Sequence, residues 1–322
     1  MRRITALAAT LLLALTACGS SETPEPAAAE ASAEPVSLTD ARNKKIDLPA
    51  PATKVVGLEW GVVEGLITLG VMPVGVADVK GYSTWVTAAK LDPSVKDVGT
   101  RGEASVDAIV GLDPDLVVVT TDESASTIAQ IEKAATVLVV RGADAANPIP
   151  QLKKNLELLG AAVGKSAQAA EANAAFDRAL ADGRKKIADA GKAGENFTMA
   201  DGWKQGSSIS IRMFTTGSML GAIAGELGLK NSWTGAGDKD YGLAQTDIEG
   251  LTKLPDGNFL YIASTTDGGD VFGGDLAKNA IWKNLPFVKS GNVHRLPDGI
   301  WMFGGPKSMQ QFIDATVQAV TS

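Results

Sequence analysis

The sequence predicts an α/β protein of two lobes joined by one long helix, and three observations carry the prediction. Short apolar runs of strand type alternate with segments of helical spacing in both halves of the chain. Between the halves, from Pro150 to Ala190, strand formers almost vanish and Ala, Leu, Lys and Glu dominate. Alternation of this kind implies mostly parallel sheets with helices on their faces, because parallel strands need a crossover connection.

The N-terminus precedes that pattern. Arg2 and Arg3 lead into an apolar run, Ile4 to Leu15, too short to anchor across a bilayer and suited to a signal peptide. Residues 1–17 read as that signal. Leu15-Thr16-Ala17-Cys18-Gly19-Ser20 resembles the bacterial lipobox. The resemblance implies that Cys18 is acylated, becomes the mature N-terminus and holds the chain on the outer side of the cell membrane. Cys18 is the only Cys, so no disulfide framework competes for it. The rest of 18–35 is mostly Ala, Glu, Pro and Ser without an aromatic residue, which cannot bury enough surface to offset its ordering entropy. It reads as a disordered tether.

The first lobe is expected over 36–165. Strands are read at Lys54–Leu58, Pro73–Ala77, Leu116–Thr121 and Val137–Val140. Helices are read at Val62–Leu69, at Ser105–Leu112 with Ser105 as N-cap, and at Ser124–Ala135. Gly160 and Gly164 punctuate two helices in the Ala-rich stretch, the second being the linking helix, 166–191. The second lobe, 192–322, repeats the alternation. Its strands are Phe197–Ala200, Ile209–Phe214, Phe259–Ala263 and Asn292–Leu296, and its helices Met219–Leu227, Thr246–Leu254 and Ser308–Val320. The lobes are thus Rossmann-like, and ligands of such sheets sit near strand C-terminal ends, here in a cleft between the lobes.

Composition excludes several functions. A formal charge of −7 argues against nucleic acid. His294 is the only histidine, so a His-rich or thiolate metal site is ruled out. A Ser-His-Asp triad could be built only around His294, which lies in a strand-like segment. Neither GxxxxGK[ST] nor GxGxxG occurs. No catalytic residue, resident metal or cofactor is expected, and the chain reads as a non-enzymatic monomer.

Several segments match one family in order and spacing from Val55 onward. They include Val55-Val-Gly-Leu-Glu-Trp60, Gly70-Val-Met-Pro-Val-Gly-Val76, Leu112-Asp-Pro-Asp-Leu116, Leu227-Gly-Leu-Lys-Asn231 and Ile281-Trp-Lys-Asn-Leu-Pro-Phe-Val288. On these the chain resembles the helical-backbone class of ABC-transporter substrate-binding proteins, which serve siderophores, haem and cobalamin. Leu58-Glu59-Trp60, Tyr82, Trp85-Val86 and Asp97-Val-Gly-Thr-Arg101-Gly-Glu103 resemble the ferric-hydroxamate-binding subgroup. That resemblance implies a binding protein that hands a ferric siderophore, such as ferrioxamine or ferrichrome, to a permease dimer with its ATPase. A catecholate siderophore, haem or cobalamin is the alternative cargo, with Tyr82 or Tyr241 as a conceivable haem ligand.

The resemblance places Arg101 on the hydroxamate oxygens and makes Ile300-Trp301-Met-Phe303-Gly304 an aromatic pocket segment. Tyr241 stands where a related protein has a pocket tryptophan. The chemistry agrees: iron in a trihydroxamate is already saturated by six oxygens, so the protein must recognise an oxygen rim and apolar linkers. Arginine offers a planar fork of donors to the rim, and aromatic rings cover the linkers at little entropic cost. Trp60, Trp85 and Trp203 are further aromatic candidates, and Arg212 is a charge inside an apolar strand pattern. Trp233 and Trp282 are assigned to packing. Asp107 and Glu249 hold the positions where the class docks acidic residues into its permease.

Overall fold

A computed structural model describes residues 34–206 and 208–322. The expected signal segment, Cys18 and nearly all of the tether lie outside the described residues.

The first lobe opens with a hairpin absent from the sequence-based expectation, β1 (Val36–Thr39) and β2 (Lys45–Leu48). Its turn holds Asn43 at φ 61, a left-handed conformation that Asn tolerates. There follow β3 (Val55–Gly57), α1 (Trp60–Thr68), β4 (Gly75–Val76), α2 (Val79–Trp85), β5 (Lys96–Asp97), β6 (Gly99–Thr100), β7 (Glu103–Ala104), α3 (Val106–Val110), β8 (Leu116–Thr120), α4 (Ala125–Ile131), β9 (Val137–Val140) and α5 (Pro148–Ala162). Strands β5, β4, β3, β8 and β9 form a parallel sheet in that order. Every residue of β8 and β9 is buried, as a strand covered on both faces requires. The Ser105 hydroxyl caps α3 by accepting from the Ala108 N–H at 3.2 Å. α4 stops four residues short of the expected Ala135, because the chain tightens into turns on Ile131 before entering β9.

Gly164, at φ +66, turns the chain into α6 (Ser166–Asp189), the linking helix. Gly160 does not punctuate; it lies inside α5. The second lobe carries β10 (Asn196–Gln205), β11 (Ser208–Phe214), α7 (Met219–Glu226), β12 (Lys230–Asn231), β13 (Leu243–Thr246), β14 (Asn258–Ile262), α8 (Ala280–Asn284), α9 (Pro286–Lys289), β15 (Val293–Arg295) and α10 (Pro306–Thr321). Its sheet runs β13-β11-β10-β14-β15, with β12 beside the start of β10. The mostly parallel pairing expected from sequence holds, with an antiparallel margin. β10, β12, β14 and β15 pair parallel, but β10–β11 and β11–β13 are antiparallel, so this sheet is mixed. The expected helix Thr246–Leu254 is absent. Thr246 pairs with Ile211 as the end of β13, and the Asp247 carboxylate caps Gly250, leaving one 3₁₀ turn at Gly250–Lys253.

The main apolar cluster crosses the lobe boundary. It joins Trp60, Val76 and Tyr82 of the first lobe, Phe176 and Ile187 of α6, and Phe197, Leu260 and Phe312 of the second. A polar bolt runs beside it. Glu64 on α1 is fully buried, and its carboxylate accepts from the Ser308 N–H at 2.8 Å and from the Ser308 hydroxyl at 2.5 Å, at the first turn of α10. One lobe thereby caps a helix of the other. Close by, a Cβ on Gly61 would lie 2.6 Å from the Phe303 carbonyl oxygen, so the lobes approach backbone to backbone there.

Candidate ligand-binding cleft

The order of the first sheet reverses between β3 and β8, which opens a crevice at their C-terminal ends. Glu59 and Trp60 leave β3 into that crevice, and Asp122 and Glu123 leave β8 into it. Trp60 begins α1 and is anchored by its indole N–H, which donates to the Ala77 carbonyl at 3.1 Å. Arg101 sits at the turn between β6 and β7. Its guanidinium donates to the Glu59 carboxylate at 3.1 Å and lies over two rings, 4.6 Å from the centre of Trp60 and 5.1 Å from that of Trp301.

Trp301 comes from the second lobe. It meets Trp60 edge-on at 4.7 Å, Trp85 at 6.1 Å and Phe303 at 5.3 Å. Tyr241 packs edge-on against Phe303 at 5.4 Å, and its hydroxyl donates across the cleft to Asp122. The Trp85 indole N–H spans the lobes in the same way, donating to Asp267 at 2.8 Å. Behind Phe303 lies Arg212, 5.2 Å from its ring centre, with Trp203 a further 5.6 Å from the guanidinium. Arg212 and Asp201 are cross-strand partners on β11 and β10, and the guanidinium Nε donates to that carboxylate at 2.9 Å. All eight ligand candidates read from sequence therefore fall in one run of contacts.

Electrostatics shapes this run. Burial pushes the Glu59 carboxyl above its ordinary range, against the opposing pull of Arg101. Burial does the same to Asp201 against Arg212. Each arginine in the cleft is thus already paired with a carboxylate. A cavity of about 830 Å³, counting its open mouth, lies between the lobes with Phe214, Tyr241 and Phe303 in its wall. A second hollow of about 470 Å³ is lined by Glu59, Arg101, Asp122 and Glu123. Rigid rings, a planar donor fork and a polar rim can hold a compact ligand with surface oxygens and apolar stretches.

Sequence reasoning missed the carboxylates. Glu59 stood in a quoted segment without a role, and Asp122, Asp201 and Asp267 were not singled out. The one usable signal was Asp201, a charge inside an apolar strand just as Arg212 is. Tyr82 is corrected as a conceivable ligand: it is buried, and its hydroxyl donates to the Ala89 carbonyl at 2.7 Å. Trp203 lies within β10, which continues past the expected end at Ala200 to Gln205. Trp282 is buried as expected, and Trp233 packs against the same cluster. His294 lies on β15, where burial lowers its pKa. Asp107, in the first turn of α3, and Glu249, just before the 3₁₀ turn, are both exposed. Among the described residues, no cluster of three or more His, Cys, Asp or Glu could hold a metal ion.

Two lobes, one linking helix and an aromatic cleft at a sheet crevice define a solute-binding protein. The chain belongs to the periplasmic binding protein family, whose profile matches residues 55–299. Over 315 residues it is 28% identical to the probable siderophore-binding lipoprotein YfiY of Bacillus subtilis, covering 94% of this chain and 93% of that one. It is 25% identical to the iron(3+)-hydroxamate-binding protein FhuD of Escherichia coli, covering 83% of this chain and 86% of that one. The solved FhuD of Vibrio cholerae, bound to Fe3+–Desferal, shares the fold with a TM-score of 0.73 at 23% identity, covering 84% of this chain and 98% of that one. So does the triscatecholate siderophore-binding FeuA of Bacillus subtilis, with a TM-score of 0.71 at 22% identity, covering 88% and 98%.

Proposed function

We propose that this chain captures a ferric siderophore of the hydroxamate type outside the cell and delivers it to an ABC importer. The observation that carries the reading is Arg101, held at the cleft over Trp60 and Trp301. A ferric trihydroxamate arrives with its iron coordination complete and needs only donors for its oxygen rim and rings for its linkers. YfiY, described as siderophore-binding, supports the cargo class, and FhuD, described as hydroxamate-binding, supports the type. The chain performs no chemistry on the cargo in this reading. Binding is positioning by Arg101, Arg212 and the aromatic run, and release is left to the permease, against which the exposed Asp107 and Glu249 dock.

Titration with ferrioxamine B, ferrichrome, a ferric catecholate and haem tests the assignment, with tryptophan fluorescence as readout. Trp60, Trp85 and Trp301 lie in the cleft, so a bound ferric hydroxamate should quench them. Saturable quenching by the catecholate or haem alone would overturn the hydroxamate assignment. The lipid anchor on Cys18 is checked separately. Cys18→Ala should move the chain out of the membrane fraction, and unchanged retention would remove the anchor.

A further inference from the structure

The walls of the cleft carry a charge imbalance. The two hollows are lined by five carboxylates, Glu59, Asp122, Glu123, Asp144 and Asp240, and by a single cation, Arg101. Arg101 is paired with Glu59, and Asp144 with Arg141 at 2.7 Å. Among the described residues, Asp122, Glu123 and Asp240 have no ion pair, and Asp267 beside Trp85 has none either. One carboxylate oxygen of Asp122, Oδ2, accepts from two neutral donors, the Thr120 and Tyr241 hydroxyls, which orient its charge without cancelling it.

An independent feature points to what the ligand presents. Trp301 is only 5% exposed, and its indole N–H has no acceptor among the described residues. A buried donor without a partner is costly unless a ligand atom accepts from it. The rings around it also tolerate a cation, since Trp60 and Trp301 already flank the Arg101 guanidinium. The cleft therefore offers donors for an oxygen rim and, beside them, carboxylates for a positive charge.

We propose that the cleft selects ferric hydroxamates of net positive charge, complexes whose neutral iron–trihydroxamate core carries a pendant ammonium, over neutral and anionic siderophores. The proposal rests on the siderophore reading above and names the ligand's charge class. The ammonium lies against Asp122 and Glu123 while the hydroxamate oxygens accept from Arg101 and from the Trp301 N–H. A triscatecholate complex, with three negative charges, meets the same carboxylates as repulsion.

The test uses ferrioxamine B, whose terminal amine is protonated, and its N-acetylated derivative, which has the same iron core and no charge. The mature wild-type chain should bind ferrioxamine B about three- to fivefold more tightly at low salt, as expected for a partly screened charge pair at a solvent-open wall. That ratio should shrink to about twofold in about 0.5 M salt. The double variant Asp122→Asn, Glu123→Gln should shrink it without added salt, and Glu123→Gln alone should do so in part. Equal affinities in the wild type, or a ratio indifferent to salt and to both variants, would overturn the charge preference and leave hydroxamate binding standing. If neither probe binds, the siderophore reading falls and takes this one with it.

Discussion

Arg101 and Glu64 show how differently a single charge can act in this chain. Arg101 is partly exposed and already paired, so its exchange from Glu59 to a ligand oxygen costs little: exposed ion pairs contribute about 0–1 kcal/mol. A hydrogen bond to a charged group contributes about 1.5–3 kcal/mol, so Arg101→Ala should weaken binding of a ferric hydroxamate by roughly ten- to a hundredfold. Arg101→Lys should recover only part, because an ammonium lacks the planar fork, and titration of both variants checks the order. Glu64 is the opposite case, wholly buried and committed to Ser308. Glu64→Ala should destabilise the fold by about 2–3 kcal/mol in urea denaturation, since it strips the partner from a buried N–H and hydroxyl. Burial raises the Glu64 pKa above its ordinary 4.5. The stability held by its protonated form is therefore complete below that value and falls as pH rises toward the folded-state pKa. Glu64→Gln should flatten that part of the pH profile, while Glu59 and Asp201, shifted in the same direction, keep their own shares. A slope unchanged in the variant would show that Glu64 does not titrate there. Arg101 was legible because its loop has a recognisable sequence. Glu64 is the only charge in the apolar helix α1, but its role was not legible because its partner lies 244 residues away.

Elements divide along the same line. β8, β9 and α6 were readable because each is uniform: strands apolar but for Thr120, and a helix rich in Ala with Asp, Lys and Arg between. The hairpin β1–β2 was not, since only Ile46 and Leu48 of its second strand are buried and four residues are too few for a period to stand out. Thr246–Leu254 failed for another reason. Its spacing suited a helix, yet tertiary pairing with β11 took Thr246 into β13, and the Asp247 cap on Gly250 left the rest a single 3₁₀ turn. The mixed second sheet has the same cause: β10 turns straight back into β11 as a hairpin, a connection that no helical crossover signals. α6 yields the prediction at this scale. It packs against α10 and α5, and Phe176 on it is fully buried in the cluster shared by both lobes. A helix held along its length cannot act as a loose hinge, so solution scattering of free and ligand-saturated protein should give nearly coincident radii. A contraction of the size seen in hinge-closing binding proteins would show that α6 bends or unwinds.

For the whole molecule, the docking proposed for Asp107 and Glu249, both exposed, carries the prediction about the partner. Replacing both with Ala should leave siderophore affinity intact and impair uptake through the membrane permease, because charge complementarity governs register and association rate at such interfaces. Normal transport by the double variant would mean that docking rests on other residues. The buried bolt between α1 and α10 bears on that encounter as well. Glu64 ties the lobes together, and the shared apolar cluster reinforces it. A receptor that keeps one shape cannot report its occupancy by posture. The permease then meets loaded and empty copies on nearly equal terms, and every empty copy in the queue delays a full one. Uptake should therefore pass through an optimum in the ratio of binding protein to siderophore, and making more of the receptor past that point should slow the delivery of iron.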